Sequence, residues 1–188
     1  LKPYIAESWE LDETGGTITW HLRRGMRWSS GDPVTSEDFC FHWLAGLDYP
    51  EIGHSGLEHK VQIEVSDDYT FSLWLGGPSA PQAQPITYAD QLGYELPLAP
   101  SAFARGYHPD YVAGGRQALE ALARQEGYAD WATMYRARVL QSSYYYGEPN
   151  KPTLLPWRAI TRRGTSPTAF ERNPYFWQVD AQGQQLPY

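Results

Sequence analysis

The chain has a single cysteine, Cys40, and this shortage excludes an internal disulfide framework and a thiolate metal cluster. Long apolar runs are also missing: none exceeds three residues, as at 39–41, whereas a membrane-spanning helix needs about 20. A basic excess is absent too, because 15 Lys and Arg against 22 Asp and Glu leave a net charge of −7. Nucleic-acid backbones and anionic membrane surfaces select for the opposite balance, so neither is expected as the main partner.

The remaining composition is that of a globular chain. Hydrophobic residues form 41% of the 188 residues, and 17 glycines and 15 prolines are too few for a fibrous repeat. At roughly 150 residues per domain, the length predicts one domain, or one domain and part of a second. Aromatic residues reach 15% of the chain. Exposed aromatic side chains could line a peptide or sugar cleft, whereas buried ones would pack the core, and packing is the simpler explanation.

Two segments, about 9–22 and 61–75, alternate with period two and predict β-hairpins. In the first, Ile18 and Trp20 alternate with polar residues after a turn at 12–16. Because antiparallel hairpins can bury one face and expose the other, we expect both hairpins to share a largely antiparallel sheet.

A helix is predicted to follow the first hairpin. Thr35 is expected to cap it through its hydroxyl, with Asp38 at the third helical position. This helix is expected to pack on one face of the sheet through an apolar stripe. The stripe contains Phe39, Cys40, Trp43, Leu44 and Leu47.

The rest of the chain mixes both kinds of element. An irregular connection is expected over 78–109, helices over 116–126 and 130–145, and short strands over 157–162 and 168–172. Together these elements predict an α+β fold with a mixed, mostly antiparallel sheet and packed helices.

Catalytic motifs are largely absent. The sequence contains no G-x-G-x-x-G, G-x-x-x-x-G-K-[ST], G-x-S-x-G or H-E-x-x-H. The nearest cluster, 53–59, holds two histidines, a serine and a glutamate, but His54 and Glu58 are four residues apart rather than the three of an inverted zinc motif. A solvated loop explains this cluster better than a metal or nucleophile site. No cofactor, no metal and no enzymatic activity are expected.

Paired charges also have simple explanations. Glu37 and Asp38 lie in the first turn of a predicted helix, where the helix dipole favours negative charge, and 67–68 lie in a hairpin turn. The arginines at 23, 24 and 27 could clamp a carboxylate. A solvated or internally paired surface accounts for them more simply.

Three stretches resemble a known family. These are PYIAESWE at 3–10, TWHLRRGMRWSSGDPVTSEDF at 19–39, and RNPYFW at 172–177. In this order they resemble the family 5 extracellular solute-binding proteins, the dipeptide- and oligopeptide-binding receptors of bacterial ABC importers. Phe39 stands where that family usually has valine.

The resemblance implies part of a two-lobed fold similar to type II periplasmic binding proteins. Residues 1–155 would form an accessory domain adjoining the first lobe, 156–188 would begin the return into that lobe, and the second lobe would be absent. The chain is then expected to be a fragment of a receptor that captures peptides or peptide-like solutes for the membrane subunits of an ABC permease. The receptor would be periplasmic or extracellular, with or without a lipid anchor. No ligand-binding residue is carried over by a matching motif.

A second interpretation stays open from the residues alone. The chain could be a peptide- or carbohydrate-binding module of an extracellular enzyme that uses exposed Trp and Tyr as platforms. A reading frame extended past Tyr188 would contain a second α/β lobe in the first case and a catalytic domain in the second. Neither interpretation identifies the ligand.

Overall fold

The computed structural model forms two compact units. It describes residues 5–13, 16–52, 62–74, 100–140, 149–161 and 165–186. The first unit falls within 1–24 and 35–96, and the second within 25–34 and 97–188. The predicted boundary between 155 and 156 stays a prediction.

A four-stranded antiparallel sheet forms the first unit. Its strands are β1 (Ala6–Leu11), β2 (Thr17–Leu22), β3 (Gln62–Asp67) and β4 (Thr70–Trp74), in the spatial order β1-β2-β4-β3. Both predicted hairpins are confirmed, because β1 pairs with β2 and β3 pairs with β4. The pairing of β2 with β4 joins the two hairpins into one sheet, as expected.

One face of this sheet carries the core of the first unit. Ile18 lies opposite Leu73 and Trp20 lies opposite Phe71, and all four side chains are buried. The helix α1 (Ser36–Asp48) covers this face, with the Phe39 ring 5.4 Å from the ring of Phe71. The predicted packing of this helix on one face of the sheet is therefore confirmed.

The N-terminus of α1 is fixed by two contacts. A capping box joins Thr35 and Asp38, in which the Thr35 backbone N–H donates to the Asp38 carboxylate at 3.0 Å. The Ser36 N–H donates to the carbonyl oxygen of Asp68 in the β3–β4 turn at 2.7 Å. The helix therefore begins where the sequence predicts, against the second hairpin.

The predicted apolar stripe of α1 is wrong for Leu44, which is 48% exposed. Leu44 follows Glu37 by seven residues and precedes Asp48 by four, so these three residues share one narrow exposed side of the helix. Phe39 and Cys40 are buried as expected. The side chain of Trp43 lies outside the described ones.

The second unit is mainly helical at its centre. It contains α2 (Ser101–Arg105), α3 (Gly115–Gln125) and α4 (Trp131–Tyr135), which continues as a π-helical turn over Arg136–Leu140. The predicted helix at 116–126 is confirmed within one residue. The predicted helix at 130–145 begins as expected, with the Asp130 carboxylate accepting the Thr133 N–H at 2.7 Å, but it changes to π geometry at 136. Residues 141–148 and most of the connection at 78–109 lie outside the described residues.

The packing of α3 against α4 centres on Trp131, which is fully buried. Its indole Nε1 donates to the Tyr107 carbonyl oxygen at 2.6 Å, and its backbone N–H donates to the Glu120 carboxylate at 3.2 Å.

Among the described residues, no helix is long and apolar enough to cross a bilayer.

The second unit also contains a two-stranded antiparallel ribbon. Its strands are β5 (Trp157–Ala159) and β6 (Phe170–Arg172), shorter than the predicted strands at 157–162 and 168–172.

Candidate functional site

Two of the family-like stretches meet in the second unit, with Thr153 between them. The Ser29 N–H donates to the Thr153 carbonyl oxygen at 3.0 Å, and the Thr153 N–H donates to the Ser29 hydroxyl oxygen at 3.0 Å. The Asn173 side-chain amide donates to the same Thr153 carbonyl oxygen at 3.3 Å. We call these contacts around Ser29, Thr153 and Asn173 the motif junction.

Asn173 is the buried centre of the motif junction. Its side-chain amide nitrogen also donates to the Leu155 carbonyl oxygen at 3.0 Å. Its side-chain oxygen Oδ1 accepts a hydrogen bond from the Tyr175 N–H at 2.9 Å. An asparagine side-chain amide has two N–H donors and one oxygen acceptor. Here both the nitrogen and the oxygen form hydrogen bonds with other residues of the chain. Asn173 therefore stabilises the fold and presents no group to a solute.

The turn at 28–32 is closed by its own backbone. The Trp28 N–H donates to the Asp32 carbonyl oxygen at 2.9 Å, and the Gly31 N–H donates to the Trp28 carbonyl oxygen at 2.8 Å. The Arg27 guanidinium donates to the Gly31 carbonyl oxygen at 2.6 Å. The motif in this segment builds a turn rather than an open binding loop.

The candidate carboxylate clamp at 23–27 is not supported by the contacts of Arg24 and Arg27. In the first unit, the Arg24 guanidinium lies 4.5 Å from the centre of the Tyr69 ring. In the second unit, the Arg27 guanidinium donates a hydrogen bond to the Gly31 carbonyl oxygen. Internal pairing, the simpler expectation, accounts for both side chains.

Three carboxylates of the first unit also serve the fold. Asp38 belongs to the capping box, and the Asp67 carboxylate accepts the Tyr69 N–H at 2.7 Å inside the β3–β4 turn. The Asp12 carboxylate accepts the Gly16 N–H at 2.8 Å in the first hairpin turn. General acid or base chemistry is not needed to explain them.

Cys40 is buried, as expected, and desolvation raises the pKa of its thiol to about 12. A thiol with so high a pKa is a weak nucleophile at neutral pH. Among the described residues, no group of three or more His, Cys, Asp or Glu could hold a metal ion. The cluster at 53–59 lies outside the described residues.

A buried lysine lies two residues before Thr153. The Lys151 ammonium donates to the Val139 carbonyl oxygen, and burial lowers the pKa of Lys151 to about 7. Sequence reasoning missed this group because a single lysine between two prolines carries no periodic signal of burial. This hydrogen bond attaches the segment before the motif junction to the π-helical turn, which contains Val139.

An exposed apolar face lies on the β5–β6 ribbon beside the motif junction. Trp157 pairs with Arg172 and Ala159 pairs with Phe170, so these four side chains share one face. Trp157 is 47% exposed and Phe170 is 41% exposed. We call the Trp157 and Phe170 surface the ribbon face; contiguous exposed apolar area is a feature of sites that contact a ligand or another protein segment.

The family model described as "Bacterial extracellular solute-binding proteins, family 5 Middle" matches residues 1–188. The chain therefore belongs to the family 5 bacterial extracellular solute-binding proteins, as the sequence resemblance predicts.

Relatives cover two kinds of named ligand. The periplasmic alpha-galactoside-binding protein of Rhizobium meliloti (strain 1021) is 27% identical over 99% of this chain and 24% of its own length. The periplasmic oligopeptide-binding protein OppA of Haemophilus influenzae is 34% identical over 42% of this chain and 18% of its own length. The chain thus spans about a quarter of the first relative and less than a fifth of the second.

Solved structures give the same picture. An oligopeptide-binding protein OppA is similar with a TM-score of 0.70 and 28% identity, covering 98% of this chain and 28% of that one. The periplasmic binding protein MelB of Agrobacterium fabrum C58, in complex with stachyose, is similar with a TM-score of 0.68 and 25% identity, covering 97% of this chain and 25% of that one. The predicted fold class, an α+β part of a periplasmic binding protein, is confirmed.

Proposed function

We propose that this chain is the middle part of a periplasmic or extracellular receptor, free or lipid-anchored, that binds a solute and delivers it to an ABC importer. The match of the family model to residues 1–188 carries this proposal. The function is capture rather than catalysis, and the relatives named above are described as binding proteins. This observation favours the receptor over a module of an extracellular enzyme.

The solute is a short peptide or an oligosaccharide. Relatives that align over at least 97% of this chain include an alpha-galactoside-binding protein, an oligopeptide-binding protein and a stachyose complex. Both classes present many hydrogen-bonding groups to a receptor, which aromatic and polar side chains can bind together.

The ribbon face supports a proposal for how this chain continues into the whole receptor. An isolated two-stranded ribbon is marginally stable in water, and this one exposes Trp157 and Phe170. Residues 156–188 begin the return into the first lobe, further residues of that lobe cover the ribbon face, and 1–155 form the accessory domain.

Matched substitutions test this role of the ribbon face. In the 188-residue chain, Trp157→Ser should lower the free energy of unfolding by less than about 0.5 kcal/mol, because the side chain is half exposed. In the full-length protein the same substitution should cost about 2 kcal/mol or more, since it would remove buried area. Leu44→Ser, at a similar exposure, is the control and should have a small effect in both. An equally small effect of Trp157→Ser in both proteins would contradict the proposal.

The proposed activity is tested by identifying what the receptor carries. Native mass spectrometry of the full-length protein purified from its host should detect a bound solute. Mass spectrometry after denaturation should identify the released solute as a peptide or an oligosaccharide. Turnover of a peptide or glycoside by the purified protein would instead support the enzyme-module alternative.

A further inference from the structure

We draw no further inference here: the strongest candidate, the buried Lys151 ammonium against the π-helical turn, has no hydrogen-bond or ion-pair partner among the described residues beyond the Val139 carbonyl oxygen, and so rests only on the lowering of its pKa by burial.

Discussion

The hydroxyl oxygen of Tyr175 lies 3.1 Å from the position that a Cβ atom on Gly31 would occupy. Gly31 has φ of +94°, a backbone conformation that residues with side chains rarely adopt. The two residues belong to two different family-like stretches, at 19–39 and 172–177. The glycine thus serves both its own turn and the close approach of the second stretch.

Gly31→Ala should lower the free energy of unfolding by about 1–2 kcal/mol, because it adds backbone strain and displaces the Tyr175 ring. Gly25→Ala is the matched control, since Gly25 has φ of +81° but nothing within 4 Å of the added Cβ. It should cost about 1 kcal/mol from strain alone. Urea denaturation of both variants measures the difference, and a smaller loss for Gly31→Ala than for Gly25→Ala would contradict the close approach.

Asn173→Asp should strongly destabilise the second unit at pH 7. The amide donates to two carbonyl oxygens, at Thr153 and Leu155, and a buried carboxylate would face both without a donor. We expect a loss of about 3 kcal/mol.

The same variant has a pH signature. Burial should raise the pKa of the new carboxyl in the folded state, so its stability should be partly restored at low pH and lost as the pH rises through that pKa. Asn150→Asp, at an exposed position, is the control and should show neither effect. Thermal unfolding of both variants between pH 3 and pH 7 measures how their stability depends on pH. Parallel stability profiles for the two variants would contradict the burial of the Asn173 amide.

Thr35→Ala should cost about 1 kcal/mol, because it removes one side of the capping box at the start of α1. Thr35→Ser keeps a hydroxyl and should stay within a few tenths of a kcal/mol of the parent. Denaturant midpoints measure both, and an unchanged midpoint for Thr35→Ala would show that the Asp38 half of the box suffices.

Lys151 should make stability rise with pH. Burial lowers its pKa from 10.5 to about 7 in the folded state, so between these values the unfolded chain binds more protons than the folded one. The free energy of unfolding should therefore increase across this window, by at most about 1.4 kcal/mol per pH unit from this group.

Lys151→Met removes the charge and should flatten this part of the profile. Chemical denaturation of parent and variant between pH 7 and pH 10 gives both slopes. Equal slopes would mean that the lysine is solvated in the folded state.

Local structure could be predicted from the sequence because its signals are local. The alternation of the apolar residues Ile18 and Trp20 with polar residues predicts the strand β2 and its buried face. The Thr35–Asp38 pair predicts the start of α1. The outward direction of Trp74 also follows from the sequence, since its parity is opposite to that of Phe71 and Leu73.

Contacts between distant segments could not be predicted in this way. Ser29, Thr153 and Asn173 lie in loops, where no periodicity indicates which residues meet. The wrong prediction that Leu44 is buried has a related cause. Which of the neighbouring apolar side chains of α1 is buried depends on where the sheet lies. The burial of Lys151 likewise follows from tertiary packing alone.

The central claim, that this chain is part of a solute receptor, is tested most directly by titration calorimetry with alpha-galactosides and short peptides. A receptor that encloses its ligand buries most of the ligand surface, and a part of it leaves polar groups unpaired and forfeits several kcal/mol. At about 1.4 kcal/mol per tenfold change, we expect micromolar binding of one solute class by the full-length protein and at least a hundredfold weaker binding by the 188-residue chain. Equally tight binding by both, or no binding of either class by the full-length protein, would contradict the account.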